Sequence, residues 1–529
     1  MRLRSARQDP LLTAFVVVAS ILLGLAALRE YMSGGAYIAA PDYLAEMLPP
    51  INALKKDGFE GYVSLLPGYP GAAMVEYIPV QIAVWLGLSE PATWRLLSGL
   101  SVAVLGLAVL WAARLAQGSE ASRNAVRLAV LVAAASPAAY WALRIGHPEE
   151  LLSTGLLLGA VVAAAKERPI IAGVLLGLAV GKAWPAVAAV PVLGLLLPDP
   201  VRVAKGMAAA AVAALVIFLP PLFIHSGSVQ VMTDLGQSGI FNVGQVFWWF
   251  GDPVAKSITD CVASTPGCQS VPQPRGTGPL WSGELSHPLI LGVGTALGLV
   301  WSWSLHGRLT RVGRIAALRT DGRTRSREET AQLAASALMV MAGILYARCF
   351  LDTWNVPYYL LPALVLGALG EALKGRVPIL TILATGIMWK WHAPGDLTVR
   401  TDPDIYTAFY LSWTIPFGVA FLVEGFKLAR GVVLAPGATA GTGVATAGTA
   451  SATADGRGAA PDIAGALRSD DADTTPSAAA SIAATAIAEA AASPRAPGPI
   501  GPSPRRSGVD ERAAPADEVA KPVDGDATE

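Results

Sequence analysis

The chain is poor in charge and in cysteine. Only 15% of its 529 residues are Asp, Glu, Lys or Arg, whereas soluble domains carry about 25%, so an ordinary soluble domain is excluded. The formal net charge is zero, and we expect no nucleic-acid partner. Three cysteines are too few for a disulfide scaffold, although Cys261 and Cys268 share one long predicted loop in which a disulfide is permitted if that loop is outside the cell.

Motifs for metal ions and nucleotides are also missing. The sequence contains no HExxH, no CxxC, no Walker A motif and no dinucleotide fingerprint. Asp402 and Asp404 form a spaced acid pair, but the proline between them is typical of a turn. We therefore expect no metal site and no cofactor, and the sequence gives no support for primary active transport within this one chain.

Long apolar runs are abundant instead. Hydrophobic residues make up 53% of the chain, and many runs are long enough to cross about 30 Å of hydrocarbon as a helix. They show no two-residue alternation, which favours helices over a barrel. We predict an all-α, polytopic transmembrane bundle of about twelve spans, namely 11–28, 92–113, 125–143, 150–165, 170–182, 184–197, 206–224, 288–306, 331–351, 356–373, 377–392 and 406–427.

The basic residues support this layout through the positive-inside rule. Alternate loops and span ends contain Arg and Lys, and the segment 307–330 alone holds seven arginines. The remaining loops are long and mixed or acidic, or else very short. We therefore predict a cell-membrane protein with cytoplasmic termini and with extracytoplasmic loops at 29–91, 144–149, 225–287, 352–355 and 393–405.

The composition changes after Arg430. Residues 431–529 are rich in Ala, Gly, Thr, Pro, Ser and Asp and contain no aromatics. Such a segment buries too little apolar surface to offset its ordering entropy. We predict a transmembrane domain over 1–430 and a disordered cytoplasmic tail over 431–529.

Ionisable side chains gather at the predicted outer ends of the spans. Each costs roughly 2.5–3.5 kcal/mol at the centre of a membrane helix, so their position indicates function. Several outer cations beside acids predict a site for an anionic group. The alternative is that these residues are charged only because the outer loops are exposed to water. The residues are Asp42, Glu46, Arg144, His147, Glu149, Glu150, Lys182, Arg348, Asp352, Lys390, His392, Asp396 and Arg400.

The first outer loop carries the sharpest pattern. It reads Pro-Asp-Tyr-Leu-Ala-Glu over 41–46, followed by Lys-Lys-Asp-Gly-Phe-Glu-Gly-Tyr over 55–62. An acid soon after the first span, a short helix, then Gly and Tyr before an interfacial segment resembles the GT-C class of glycosyltransferases. Within that class the loop is most similar to the family-87 transferases that use polyprenyl-phosphate mannose. The resemblance implies a catalytic aspartate at Asp42.

A second stretch extends the resemblance. Gly146-His147-Pro148-Glu149-Glu150 opens a Leu-rich span, and Ala-Gly-Val-Leu-Leu-Gly-Leu over 172–178 precedes Lys182. The family shows a Gly and a polar residue at the start of a span, a short basic turn, "AGxLLGL" and a Lys close to a Pro. This sequence departs from it at His-Pro-Glu-Glu, where relatives commonly have Gln and small residues.

The resemblance implies a mechanism. A sugar, mannose in the family, moves from a polyprenyl-phosphate donor to a lipid or glycan acceptor, with Asp42 as the general base. A single base suits direct displacement with inversion. Cations that stabilise the leaving phosphate are the second expectation, and the donor-phosphate or substrate-binding candidates are Arg144, His147, Glu149, Glu150, Lys182, Arg348 and His392.

Structural roles compete with these assignments. Asp42 precedes a helical pattern and is a candidate N-cap, while Glu149 and Glu150 match the positive end of the following helix. Lys182 is long enough to snorkel to the interface. Arg348 is spaced for an i,i+4 ion pair with Asp352.

Two other functions fit the same pattern. A multi-spanning transporter or lipid flippase is the main alternative, since the region 170–197 has the form of a broken helix. A membrane scaffold that recruits partners through its tail is the third.

Overall fold

The protein is described by a computed structural model that covers residues 42–67, 69–116, 120–134, 136–197, 200–224, 240–259, 270–277, 280–311, 327–353, 355–375, 377–392 and 402–434. The predicted first span, Cys261, Cys268 and the tail beyond 434 lie outside these residues. Of His392 only the backbone is described.

The described chain is predominantly helical. Its helices are α1 (Leu48–Ser64), α2 (Pro70–Trp85), α3 (Glu90–Ala113), α4 (Glu120–Ala134), α5 (Pro137–Ile145), α6 (Pro148–Ala165), α7 (Pro169–Ala179), α8 (Val190–Leu196), α9 (Pro200–Ile224), α10 (Leu280–Arg311), α11 (Arg327–Leu351), α12 (Leu360–Leu373), α13 (Ile379–His392) and α14 (Pro403–Leu434). A π-helical turn, Tyr43–Met47, precedes α1, and 3-10 turns occur at Arg114–Ala116, Trp184–Ala189, Val246–Phe250 and Pro357–Tyr359.

Prolines mark where several of these helices begin. Pro137, Pro148 and Pro169 each occupy the first turn of a helix. Proline suits this position because its fixed φ matches the helix and its missing N–H would have no partner there. These prolines confirm that the apolar region 125–197 is divided into separate helices, although the predicted span 125–143 is itself interrupted between α4 and α5.

Among the described residues, seven helical segments are long and apolar enough to cross a membrane, which confirms a multi-pass membrane protein in outline. Three further apolar helices are shorter, at Pro169–Ala179, Pro357–Leu373 and Ile379–Met388. The total of about twelve spans stays a prediction. The seven long segments are Glu90–Ala116, Arg123–Ile145, Pro148–Ala165, Val201–Ile224, Trp281–Trp303, Thr330–Leu351 and Pro403–Ala429.

Helices α6 and α11 form the centre of the bundle. Within their most apolar windows, 100% and 94% of residues are buried, against 17% for α9 and 28% for α10. A helix that is apolar on all sides and surrounded by other helices belongs to the interior of a bundle, while α9 and α10 expose one side as a lipid-facing helix does. The charged side chains of Glu149 and Glu150 on α6 and of Arg348 on α11 are therefore surrounded by protein.

A three-stranded antiparallel sheet is an addition to the all-α prediction. Strands β1 (Ile240–Asn242), β2 (Asp252–Thr259) and β3 (Ser270–Thr277) pair in the order β1-β3-β2, inside the predicted loop 225–287. Asn242 N–H donates to the carbonyl of Thr353 at 2.8 Å and joins the sheet to the bundle. The strands carry prolines and polar residues without apolar alternation, so hydropathy gave no signal for them.

The helix ends bring distant loops together at one end of the bundle. His147 lies between α5 and α6, Lys182 follows α7, and Asp352 follows α11. The short loops predicted to share one face thus do so. At the opposite end, Lys374, after α12, binds Glu424 near the end of α14 at 2.7 Å, on the face predicted for the other set of loops.

Candidate functional site

Asp42 and His147 meet although 105 residues separate them. His147 Nε2 lies 2.9 Å from Asp42 Oδ2. The imidazole is buried, with 3% of the side chain exposed, whereas 37% of the Asp42 side chain is exposed. Asp42 occupies the N-cap position of the π-helical turn, as the sequence suggested, but its side chain makes no capping hydrogen bond. The carboxylate contacts His147 on its buried side and remains accessible to solvent on the other side.

Glu149 continues this arrangement into the bundle. Its Oε1 lies 2.6 Å from His147 Nδ1 and 2.9 Å from Lys182 Nζ. Both Glu149 and Lys182 are buried, so Lys182 does not snorkel to the interface. A buried carboxylate is tolerated when opposite charges and hydrogen bonds compensate it, and here two cations share one oxygen.

Glu46 and Tyr69 complete what we call the histidine network, defined as Asp42, Glu46, Tyr69, His147, Glu149 and Lys182. The Tyr69 hydroxyl donates to Glu46 Oε2, and Lys182 Nζ lies 3.6 Å from the centre of the Tyr69 ring. Burial raises the pKa of Glu46, and the charge of His147 and the Tyr69 hydrogen bond only partly offset that increase.

His147 is the charged centre of the network. Burial and the nearby Lys182 both act to lower its pKa, but the Glu149 charge and the hydrogen bonds to Asp42 and Glu149 outweigh them and raise the pKa to about 9. The ring is therefore an imidazolium near neutral pH, and both ring N–H groups donate to carboxylates. It fixes the Asp42 carboxylate rather than competing with it for a proton.

We expect the stability of the protein to fall at high pH because of His147. Its pKa is raised from 6.5 to about 9 by folding, so its contribution is complete below 6.5 and is lost as pH rises through 9. Thermal melting of protein in nanodiscs between pH 6 and pH 10 measures this. The titratable groups that face His147 are Asp42, Glu46, Tyr69, Glu149, Lys182 and Tyr358.

The variant His147→Asn provides the comparison. Because asparagine does not titrate in this range, its melting temperature should be lower at pH 7 and should change less between pH 8 and pH 10. A variant that kept the full alkaline loss of the wild type would assign that loss to other groups.

Gly146 permits the approach of Asp42 to His147. Its φ is +119°, and a Cβ there would lie 2.4 Å from the backbone nitrogen of Tyr43. Only glycine combines a left-handed conformation with so close a backbone contact. The neighbours of Gly146 and Tyr43 in sequence are His147 and Asp42, so this contact sets the position of the pair.

Replacement of this glycine should separate the pair. We expect Gly146→Ala to destabilise the protein by about 1–3 kcal/mol through strain and to shift Asp42 away from the imidazole. A suitable control is Gly99→Ala, since a Cβ at Gly99 in α3 meets nothing within 4 Å. Melting temperatures of the two variants test this expectation, and equal values would contradict it.

A second group, which we call the arginine cluster, lies beside the network and consists of Glu150, His287, Arg348, Asp352 and Tyr359. Arg348 Nε lies 3.4 Å from Asp352 Oδ2, and Arg348 Nη1 lies 3.8 Å from Glu150 Oε1. The guanidinium also lies 3.4 Å from the centre of the Tyr359 ring. The i,i+4 pair predicted from spacing is thus confirmed, and Glu150 is added to it.

Several buried carboxylate oxygens lack hydrogen bonds within the described part of the chain. They are Glu149 Oε2, both oxygens of Glu150, and Oε1 of Glu76 in α2. Native structures rarely leave buried polar atoms unmatched, and such atoms often indicate a ligand, water or proton position. The histidine network and the arginine cluster therefore contain carboxylate oxygens that can accept further hydrogen bonds.

Two predicted residues are not joined to these groups. Arg144 lies 5.2 Å above the Trp141 ring, and its Nη1 is 3.4 Å from the Tyr140 hydroxyl. No acidic partner for it is found among the described residues. His392 ends α13, and its side chain lies outside the described part of the chain.

Other site residues were not predicted as such. Tyr69, Tyr358 and Glu76 are not among the residues predicted from the sequence. Glu46 belonged to the outer charges but had no assigned role. His287 did have a usable signal, because it precedes a proline at the start of the predicted span 288–306, as His147 precedes Pro148. In the structure His287 lies within α10.

No group of three or more His, Cys, Asp or Glu side chains suited to a metal ion occurs within the described ranges. Comparisons of the chain with protein-family models, with curated proteins and with solved structures give no match. The chemistry of the site is therefore what indicates the function of this protein.

Proposed function

We infer that the protein is an integral membrane glycosyltransferase that moves a sugar from a polyprenyl-phosphate donor to a lipid or glycan acceptor. The observation that carries this proposal is the 2.9 Å contact between His147 and a half-exposed Asp42. An accessible carboxylate, fixed by a buried cation at the end of membrane helices, suits a general base that acts on a hydroxyl.

The reaction balances with one base. As the acceptor oxygen attacks the anomeric carbon, its proton passes to Asp42 and the bond from that carbon to the phosphate oxygen breaks. The electron pair leaves with the polyprenyl phosphate. A carboxylate has about four lone-pair sites, so the bond from His147 leaves others free to accept the proton. No protein nucleophile is needed, and the anomeric configuration inverts.

Arg144 is the cation best suited to the phosphate of the donor. Lys182 and Arg348 already face carboxylates at 2.9 Å and 3.4 Å, so an anion there would displace an existing partner. Arg144 has no acidic partner among the described residues and lies two positions from Gly146. A planar guanidinium suits bidentate contact with phosphate oxygens.

An apolar groove supports a lipid-borne substrate. It lies between α7, α8 and α9 and encloses about 220 Å³. Its lining includes Val180, two residues before Lys182, and continues along Leu176, Ala210 and Ala214. A prenyl chain in this groove would gain hydrophobic contacts and bring its phosphate near the histidine network.

The extracytoplasmic side is the proposed location of the site. The opposite end of the bundle carries Lys166, Arg202, Lys374 and Lys427, and the cytoplasmic loops and helix ends of membrane proteins are the ones enriched in Lys and Arg. No nucleotide-sugar pool is expected outside the cytoplasmic membrane, which favours a sugar carried on a lipid. Mannose is proposed from the family resemblance.

The deciding experiment uses purified protein in nanodiscs. It is supplied with tritium-labelled polyprenyl-phosphate mannose, glucose or galactose and a lipid extract of its host membrane. Label should move to an acceptor lipid or glycan with inverted anomeric configuration, and polyprenyl phosphate should be released. If every donor remained intact while the protein stayed folded, the proposal would be wrong.

A transporter or lipid flippase is the second candidate, and one observation favours it. The chain between α7 and α9 is discontinuous, with a 3-10 turn at Trp184–Ala189 before the short α8, and Lys182 lies in this break. Broken helices are typical of transporter binding sites. In proteoliposomes, movement of a labelled donor across the bilayer with its sugar linkage intact would support this candidate.

A further inference from the structure

His287 is the exposed end of the arginine cluster. Its Nε2 lies 3.9 Å from Asp352 Oδ1, and 40% of its side chain is exposed. Its ring centre lies 4.6 Å from that of Trp184. Asp42 has the same relation to the histidine network, so each buried group has one accessible residue at its edge.

Two hydrogen bonds and an ion pair connect the residues behind His287. The Ser286 hydroxyl donates to the carbonyl of Leu351 at 2.7 Å, which joins α10 to the end of α11. The Asp352 N–H donates to the carbonyl of Arg348 at 2.9 Å, and the guanidinium of Arg348 faces the Asp352 carboxylate. The carboxylate is therefore fixed in place beside the half-exposed imidazole.

The arginine cluster holds two acids against one arginine, which decides the kind of ligand. Arg348 is matched by Asp352 and Glu150, so a phosphate would meet two acids as well as one cation. A neutral sugar ring fits better, because its hydroxyls donate to carboxylates and its C–H face packs on an aromatic ring. Trp184 and His287 supply the rings, and the edge of the Asp352 carboxylate, whose side chain is 3% exposed, supplies the acceptor.

The cluster also adjoins the proposed reaction centre. Glu150, which faces Arg348, follows Glu149 in sequence, and Tyr358, whose ring lies 4.8 Å from that of His147, precedes Tyr359. The arginine cluster is thus a direct neighbour of the histidine network, and a sugar at His287 would leave Asp42 free.

We propose that Trp184, His287 and Asp352 form a binding position for a neutral sugar ring of the acceptor. The assignment of this sugar to the acceptor rests on the proposed function, whereas the binding of a sugar at this position does not depend on transfer.

Carbethoxylation of histidine, read residue by residue by mass spectrometry, tests the proposal without an activity assay. The probes are octyl α-mannoside and octyl β-galactoside, with octanol and octyl phosphate as controls. At about four times its dissociation constant, a bound glycoside should slow modification of His287 about fivefold. Octanol and octyl phosphate should leave the rate unchanged. His147, 3% exposed, should stay unmodified throughout and reports an intact fold.

Variants at Trp184 sharpen the test. Trp184→Phe keeps a ring and should retain protection, whereas Trp184→Leu should lose it while His147 stays unreactive. Equal protection by glycosides and octanol, protection by octyl phosphate alone, or none by any probe would each overturn the proposal. If sugar transfer occurs but His287 is not protected, only the proposed binding position is wrong. If His287 is protected but no transfer occurs, only the proposed enzyme activity is wrong.

Discussion

Asp42→Asn should abolish sugar transfer almost completely. Asparagine keeps the size of the side chain but accepts no proton, and removal of a positioned general base costs about 10²- to 10⁴-fold in rate. The protein should remain folded, because 37% of the Asp42 side chain is exposed and the buried part of the network keeps Glu149 as a partner for His147. The measurement is the initial rate of label transfer in nanodiscs at saturating donor.

Asp57→Asn is the matched control. Asp57 is an exposed acid on α1, in the same loop region of the sequence, and it makes no contact with the histidine network in the structure. This variant should transfer sugar at the wild-type rate. If Asp42→Asn also kept wild-type product formation, Asp42 would have no chemical role and the proposed mechanism would be withdrawn.

Lys182→Met should be the most destabilising single change at the site. The substitution leaves the Glu149 carboxylate, 2% exposed, with only His147 as a partner. Breaking a buried ion pair from one side costs about 3–5 kcal/mol, because the remaining charge is uncompensated. The free energy of unfolding, measured by titration with a denaturing detergent in mixed micelles, should fall by this amount.

A double mutant separates charge from packing. Adding Glu149→Gln to Lys182→Met removes the orphaned charge, so part of the lost stability should return and the two effects should not add. Lys56→Met, at an exposed position on α1, should change stability by no more than about 0.5 kcal/mol. Strict additivity of the two buried substitutions would contradict the pairing of Lys182 with Glu149.

Much of the bundle could be predicted from hydropathy and charge. A membrane helix must satisfy its backbone internally and carry an apolar surface, so its approximate bounds are visible in sequence, as α3, α6 and α11 illustrate. The end of the bundle at which each loop lies follows from counting helices. His147, Lys182 and Asp352 were therefore expected at one end without knowledge of their partners.

The pairing of particular atoms could not be predicted in the same way. Lys182 reaches the Tyr69 ring because Gly71 and Gly181 let α2 and the chain after α7 approach closely, with an added Cβ on Gly71 only 2.9 Å from Gly181 Cα. Nothing in hydropathy specifies such a contact. The same holds for Arg144, whose spacing suggested the site but whose side chain packs on Trp141.

The sequence alone determined that this chain spans a membrane and that its costly charges collect at helix ends, since both follow from the transfer of each residue between water and lipid. The tertiary structure decided which charges pair, that Asp42 is held by His147, and that Lys182 and Arg348 already have acidic partners. These features depend on distances between segments up to about a hundred residues apart, which only the packing of α6 and α11 with their neighbours sets.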